Sequence, residues 1–230
     1  MTAARGVFIT GTDTGCGKTR ASLVLMAALR QRGRVVAGMK PVASGSAWID
    51  GRLVNDDAAQ IRAACSRELP YARVNPCALV EPMSPNFAAL REGRRITLEP
   101  VLAAYAALAR DADTIVVEGV GGWRVPLSDQ LVMPDLVAAL AVPVILVVGL
   151  RLGCINHALL SASAVAADGA GLSGWIANCV DPDYDTTAET VDYLIRAVNA
   201  PLLGQIPFMA AGASPEETAS CLDLSAAGLD

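Results

Sequence analysis

Apolar residues along this chain fall into two alternating rhythms. Short runs with little or no polar interruption recur at Val7-Phe8-Ile9, Val35-Val36-Ala37-Gly38-Met39, Ile115-Val116-Val117 and Val144-Ile145-Leu146-Val147-Val148. Strands buried on both faces read this way. Longer stretches between them mix small apolar residues with charges, as helices covering a sheet do. The pattern predicts strands over Gly6–Thr10, Val35–Met39, Asp113–Val117, Pro143–Val148, Ser173–Cys179 and Pro201–Pro207. It predicts helices over Lys18–Arg32, from Asn55-Asp56-Asp57 onward, and over Thr97–Arg110, Pro134–Leu140, Ala158–Ala167 and Thr187–Asn199. Gly33 closes the first helix, and one of the residues 55–57 caps the second. Strands alternating with helices across the whole length define an α/β fold, a doubly wound and mostly parallel sheet flanked by helices, in one domain over residues 1–230. Three stretches fall outside the rhythm. Trp48–Val54 reads as an irregular loop. Asn75–Ala88, with Pro82, Ser84 and Pro85, reads as a long excursion from the sheet. The Ala-, Gly- and Ser-rich tail from about 210 is expected to be partly loose.

Between the first strand and the first helix stands Gly11-Thr12-Asp13-Thr14-Gly15-Cys16-Gly17-Lys18-Thr19. Strand, glycine-rich loop and helix make the setting of a phosphate-binding loop. Its curled backbone aims several N–H groups inward, and the helix adds the positive end of its dipole. Lys18 reaches the outer phosphates and Thr19 offers a hydroxyl to magnesium. The usual pattern has glycine six positions before the lysine; here Thr12 stands there and the glycine comes one residue earlier, at Gly11. The competing reading is a plain glycine turn.

Ligands of an open parallel sheet gather at the carboxyl ends of its strands. Lys40 and Ser44 follow the second strand, Glu118 ends the third, and Asn178 ends the fifth. A carboxylate at the end of a buried strand beside a phosphate loop is placed to serve a metal ion, and Asp56 or Asp57 is a second candidate. Glycines after Glu118, Gly121 among them, let backbone approach a ligand closely. Each residue also has a plainer reading: surface lysine, polar turn, helix cap.

The net charge of −5 and the absence of clustered Lys and Arg argue against nucleic acid. The six cysteines show no C-x-x-C spacing and read as reduced thiols of a cytoplasmic chain. Apolar runs stop short of a membrane span, and the first strand begins too early for a signal peptide. His157 is the single histidine, so nothing activates Cys154 as a nucleophile.

Taken together, the loop 11–19, Lys40-Pro41-Val42-Ala43-Ser44-Gly45, Glu118-Gly119-Val120-Gly121-Gly122-Trp123, Pro126-Leu127-Ser128-Asp129, Leu152-Gly153-Cys154-Ile155-Asn156-His157-Ala158 and Gly174-Trp175-Ile176-Ala177-Asn178 resemble the dethiobiotin synthetases, over nearly the full length. The resemblance implies a magnesium-dependent P-loop NTPase homodimer in the cytoplasm. It would close the ureido ring on 7,8-diaminopelargonate with CO2 and ATP. It implies that Asp13, Thr14, Gly15, Cys16, Gly17, Lys18 and Thr19 bind the nucleotide with Gly121, and that Asn178 and Pro207 surround the adenine. Thr19, Asp57 (rather than Asp56) and Glu118 would hold magnesium. Lys40, Lys18 and Thr14 would act on the reacting groups. Thr14, Lys40, Ser44, Gly153, Cys154 and Asn156 would meet the substrate, the last three across the dimer interface. Gly15 departs from the glutamate that many relatives carry. No lysine precedes Lys18, unlike the partition and septum-site switch ATPases.

Overall fold

The computed structural model describes residues 5–208 and 214–229. The phosphate-loop strand β1 (Arg5–Gly11) lies inside the sheet and leads into α1 (Lys18–Gln31). Next come β2 (Val36–Met39), the two-residue β3 (Val42–Ala43), and a hairpin of β4 (Ala47–Ile49) and β5 (Arg52–Val54). Helices α2 (Asp56–Ala63) and α3 (Tyr71–Val74), strand β6 (Cys77–Ala78) and helix α4 (Pro85–Arg91) make up the excursion. The chain then runs through α5 (Leu98–Leu108), β7 (Thr114–Glu118), α6 (Met133–Leu140), β8 (Val144–Leu150), α7 (Cys154–Ala167), β9 (Leu172–Cys179), α8 (Thr187–Ala197) and β10 (Leu202–Ile206). The short α9 (Pro215–Thr218) opens the tail.

Six strands form one parallel sheet in the order β10-β9-β8-β1-β7-β2. Every residue of β7 and of β8 is buried, as the unbroken apolar runs require when helices cover both faces. Strand β1 pairs with β7 on one side and β8 on the other: the chain crosses from β1 past β7 to β2, and later from β7 past β1 to β8, so the direction of winding reverses. Such a switch point opens a crevice at the carboxyl ends of the strands.

The six predicted sheet strands and the helices between them are present, with shifted ends. The helix expected from Ala158 begins one turn earlier, at Cys154. One expectation is corrected. Residues 47–54 form an antiparallel hairpin instead of an irregular loop. Its turn is Asp50-Gly51, both at positive φ (48° and 76°), the pairing that tight hairpins favour. Residues 209–213, where the partly loose tail was expected to begin, lie outside the described residues, but 214–229 pack back onto the domain. Leu222, Leu224 and Leu229 are buried, and Asp223 N–H donates to Leu203 O at 2.7 Å. Arg30 pairs with Glu216, whose carbonyl accepts from Gln31 at 3.1 Å. Small residues lower the average hydropathy of this tail, but three leucines suffice to bury it against α1 and β10.

Candidate active site

The loop after β1 wraps the N-terminus of α1. Gly17 caps the helix at φ 85°, and a Cβ there would lie 1.9 Å from Asn178 Nδ2. Asn178 itself donates to Cys16 O at 3.0 Å, tying the loop to the end of β9. The displaced glycine has a packing reason, since a Cβ on Gly11 would come within 2.4 Å of Cys16 Sγ. Gly17→Ala is therefore expected to combine a strained backbone with a collision, lowering stability by about 1–3 kcal/mol and weakening nucleotide binding by about tenfold or more. Differential scanning calorimetry and an ADP titration check this; an alanine variant matching wild type in both would show that the loop relaxes freely.

A cleft of about 630 Å³ opens over this loop. Its lining brings together Thr14, Gly15, Gly17, Lys18, Thr19, Lys40, Ser44, Asp57, Glu118 and Gly121 from four separate stretches of chain. Lys18 is 7% exposed and donates to Asp13 O at 2.8 Å. At the floor, Lys40 Nζ donates to Glu118 Oε1 at 2.5 Å and to Gly119 O at 3.0 Å, with Asp57 Oδ2 at 3.5 Å. Thr19 Oγ1 donates to the same Glu118 oxygen at 2.9 Å. Burial acts to lower the Lys40 pKa, but the Glu118 and Asp57 carboxylates outweigh it, and the ammonium is held above the ordinary lysine value. Lys40 is thus a fixed cation at neutral pH, suited to offsetting negative charge and unsuited to acting as a base.

Glu118 is wholly buried and its Oε2 has no hydrogen-bond partner. A buried carboxylate oxygen left unpaired is an acceptor that a hydrated cation can satisfy. Thr19, Asp57 and Glu118 are the residues that could hold a divalent ion. Among the described residues no cluster of three or more His, Cys, Asp or Glu is spaced to hold a metal alone. A magnesium ion on a nucleotide needs only one or two protein carboxylates, so the donor set fits that ion and not a protein-caged one.

Other predicted positions lie outside the cleft lining. Asp13 sits at the rim and pairs with Arg151 at 2.9 Å. Cys16 is buried beneath the loop. Asn178 and Pro207 lie at the ends of the adjacent strands β9 and β10, where Asn178 pairs in register with Ile206. Gly153, Cys154 and Asn156 start α7; Cys154 is buried and Asn156 exposed. The cleft also uses residues that pattern reading did not assign: Asn55, Met83, Val120 and Val125, with Pro82, Ser84 and Pro85 as a wall. The only signal for that wall was the excursion's departure from the sheet. All six cysteines are free thiols. No helix among the described residues is long and apolar enough to cross a membrane.

A phosphate loop on an internal strand of a parallel sheet, with a strand-end acid on its neighbour, defines a P-loop nucleotide-binding protein. A family model described as an AAA domain matches residues 5–215. Two solved structures share the fold. Chloroplast FtsY from Physcomitrella patens gives a TM-score of 0.51 at 17% identity, covering 94% of this chain and 61% of that one. The MinC:MinD cell division complex from Aquifex aeolicus gives 0.52 at 16% identity, covering 89% and 81%. Sequence relatives are much nearer. The ATP-dependent dethiobiotin synthetase BioD of Aromatoleum aromaticum is 49% identical over 224 residues, 97% of this chain and 99% of that protein. That of Xylella fastidiosa is 45% identical over 215 residues, 94% and 95% of the two chains. This chain belongs to the dethiobiotin synthetase family.

Proposed function

We propose that this chain makes dethiobiotin from 7,8-diaminopelargonate, CO2 and ATP, releasing ADP and phosphate. The observation that carries the reading is the 49% identity to a dethiobiotin synthetase across 97% of the chain. The Lys18–Lys40–Glu118 cleft supplies matching chemistry. One amine of the substrate attacks the carbon of CO2 and loses a proton, leaving a carbamate. The loop amides, the α1 N-terminus and Lys40 offset the new anion, with the Thr14 and Ser44 hydroxyls beside it. A carbamate oxygen attacks the γ-phosphorus and the bond to ADP breaks. Lys18 and Lys40 balance charge on the phosphoryl oxygens. The second amine then attacks the carbonyl carbon of the mixed anhydride, the ring closes and phosphate leaves. No covalent enzyme intermediate is required; positioning and electrostatics suffice.

Thr19, Asp57 and Glu118 would hold magnesium, which when bound supplies positive charge to the phosphate oxygens. Asn178 and Pro207 would flank the adenine. The chain would act as a homodimer in the cytoplasm, with Gly153, Cys154 and Asn156 of a second copy meeting the substrate carboxylate. Supporting that role, α7 begins without a side-chain cap, leaving N–H groups for an anion, and Leu152 beside it is 90% exposed.

The test is ADP release with Mg-ATP and bicarbonate, with and without the diamine, and mass spectrometry of the product. Diamine-dependent release with the ring product is expected; equal turnover without diamine overturns the reading. In the same assay Asp57→Asn should raise the magnesium concentration for half-maximal rate by about tenfold. An unchanged magnesium titration would remove Asp57 from the metal site.

A further inference from the structure

Beside the cleft, which Asn55 lines, runs a chain of side-chain hydrogen bonds that reaches neither the Lys40 ammonium nor the Asp57 and Glu118 carboxylates. Asn75 Nδ2 donates to Lys40 O at 2.7 Å. Tyr71 Oη donates to Asn75 Oδ1 at 3.1 Å and accepts from Asn55 N–H at 2.8 Å. Asn55 Oδ1 caps α2 by accepting from Ala58 N–H at 3.2 Å, while its Nδ2 donates to Ser44 O at 3.2 Å. Asn55 and Asn75 are buried, and both functions of each amide are used. Capping alone would need only one oxygen of Asn55. The further bonds join the ends of three elements that carry Lys40, Ser44 and Asp57. The backbone of Lys40 is held from both sides, since its N–H also donates to Val74 O at 2.8 Å.

We infer that Tyr71 is a positioning residue. Its hydroxyl locks the end of β2 to the cap of α2 and so sets Asp57 against Lys40 and Glu118. The inference rests on the nucleotide-site reading above. Burial, the largest influence on the phenol, holds it above the ordinary tyrosine value, so it stays a donor to Asn75 across the physiological range. The ring itself packs beneath Arg52, whose guanidinium lies 5.8 Å from its centroid, so Tyr71→Phe removes the hydroxyl and keeps the packing.

The experiment is calorimetric titration of the full-length protein with ADP, with magnesium and in EDTA. Tyr71→Phe should stay folded, bind metal-free ADP as wild type does, and weaken Mg-ADP by about tenfold. On an Asp57→Asn background the same substitution should change Mg-ADP binding less than about twofold, because its effect runs through that carboxylate. Asn75→Ala, which breaks the chain at its other end, should repeat the Tyr71→Phe result. Wild-type Mg-ADP affinity in folded Tyr71→Phe, or an undiminished loss when Asp57 is already asparagine, overturns the assignment. So does failure of both single variants to fold, which would make the network structural only. Because the titration uses no diamine, a wild type that binds Mg-ADP but makes no dethiobiotin would sink the proposed reaction and leave this result standing.

Discussion

Replacing Lys40 by alanine is expected to lower kcat by about 10²–10³ with the protein still folded. The magnitude follows from where the charge sits. Lys40 is 3% exposed at the floor of the cleft, so its field acts in a poorly solvated space and is not screened as a surface lysine would be. Its three contacts, to Glu118, Gly119 and Asp57, fix it before any ligand arrives, so little reorganisation is needed as charge develops. The stranded Glu118 carboxylate should cost stability, but the protein should stay folded because Glu118 keeps the Thr19 hydroxyl and the space vacated by the lysine joins an existing cleft that water can fill. Steady-state kinetics on a variant with a native circular-dichroism spectrum decides it. Wild-type kcat in that protein would remove Lys40 from the reaction.

Glu118→Ala should lower stability as well as turnover. It leaves a buried ammonium with only Asp57 at 3.5 Å, on a side chain 43% exposed, and one carbonyl. Breaking a buried pair from one side costs roughly 3–5 kcal/mol, and the residual partners put this case near 3. For a chain of this size that corresponds to a Tm lower by roughly 6–12 °C. Adding Lys40→Met to Glu118→Ala removes the stranded charge and should recover most of the loss. A Tm within about 2 °C of wild type for the single variant would mean that water reaches Lys40 freely. The sign with pH is set by the raised lysine. Its stabilisation is complete below the unfolded-state value and disappears only as pH rises through the folded-state value, so the comparison belongs at neutral pH, where the pair is fully formed.

Family membership rests on identity along nearly the whole chain, and the candidate site on a few residues within it. The phosphate loop is legible because its demands are local: a strand, a curled backbone and a helix start within fifteen or so positions. Glu118 was legible as the end of an apolar run, yet its contact with Thr19 spans 99 positions and appears only once β7 lies beside β1. Asn55 reads as a helix cap and is one, but its bond to Ser44 has no local signature.

By itself the sequence determined the alternation of doubly buried strands with covering helices, the phosphate loop, and the strand-end positions of Lys40, Glu118 and Asn178. These follow from backbone conformation and burial period, which neighbouring residues set. Tertiary structure alone decided the β8-β1-β7 order, the folding back of residues 214–229, and the Asn75–Tyr71–Asn55 chain beside the cleft. Those choices depend on pairing buried polar groups and covering apolar faces together, a condition on the whole packed molecule that no window of sequence contains.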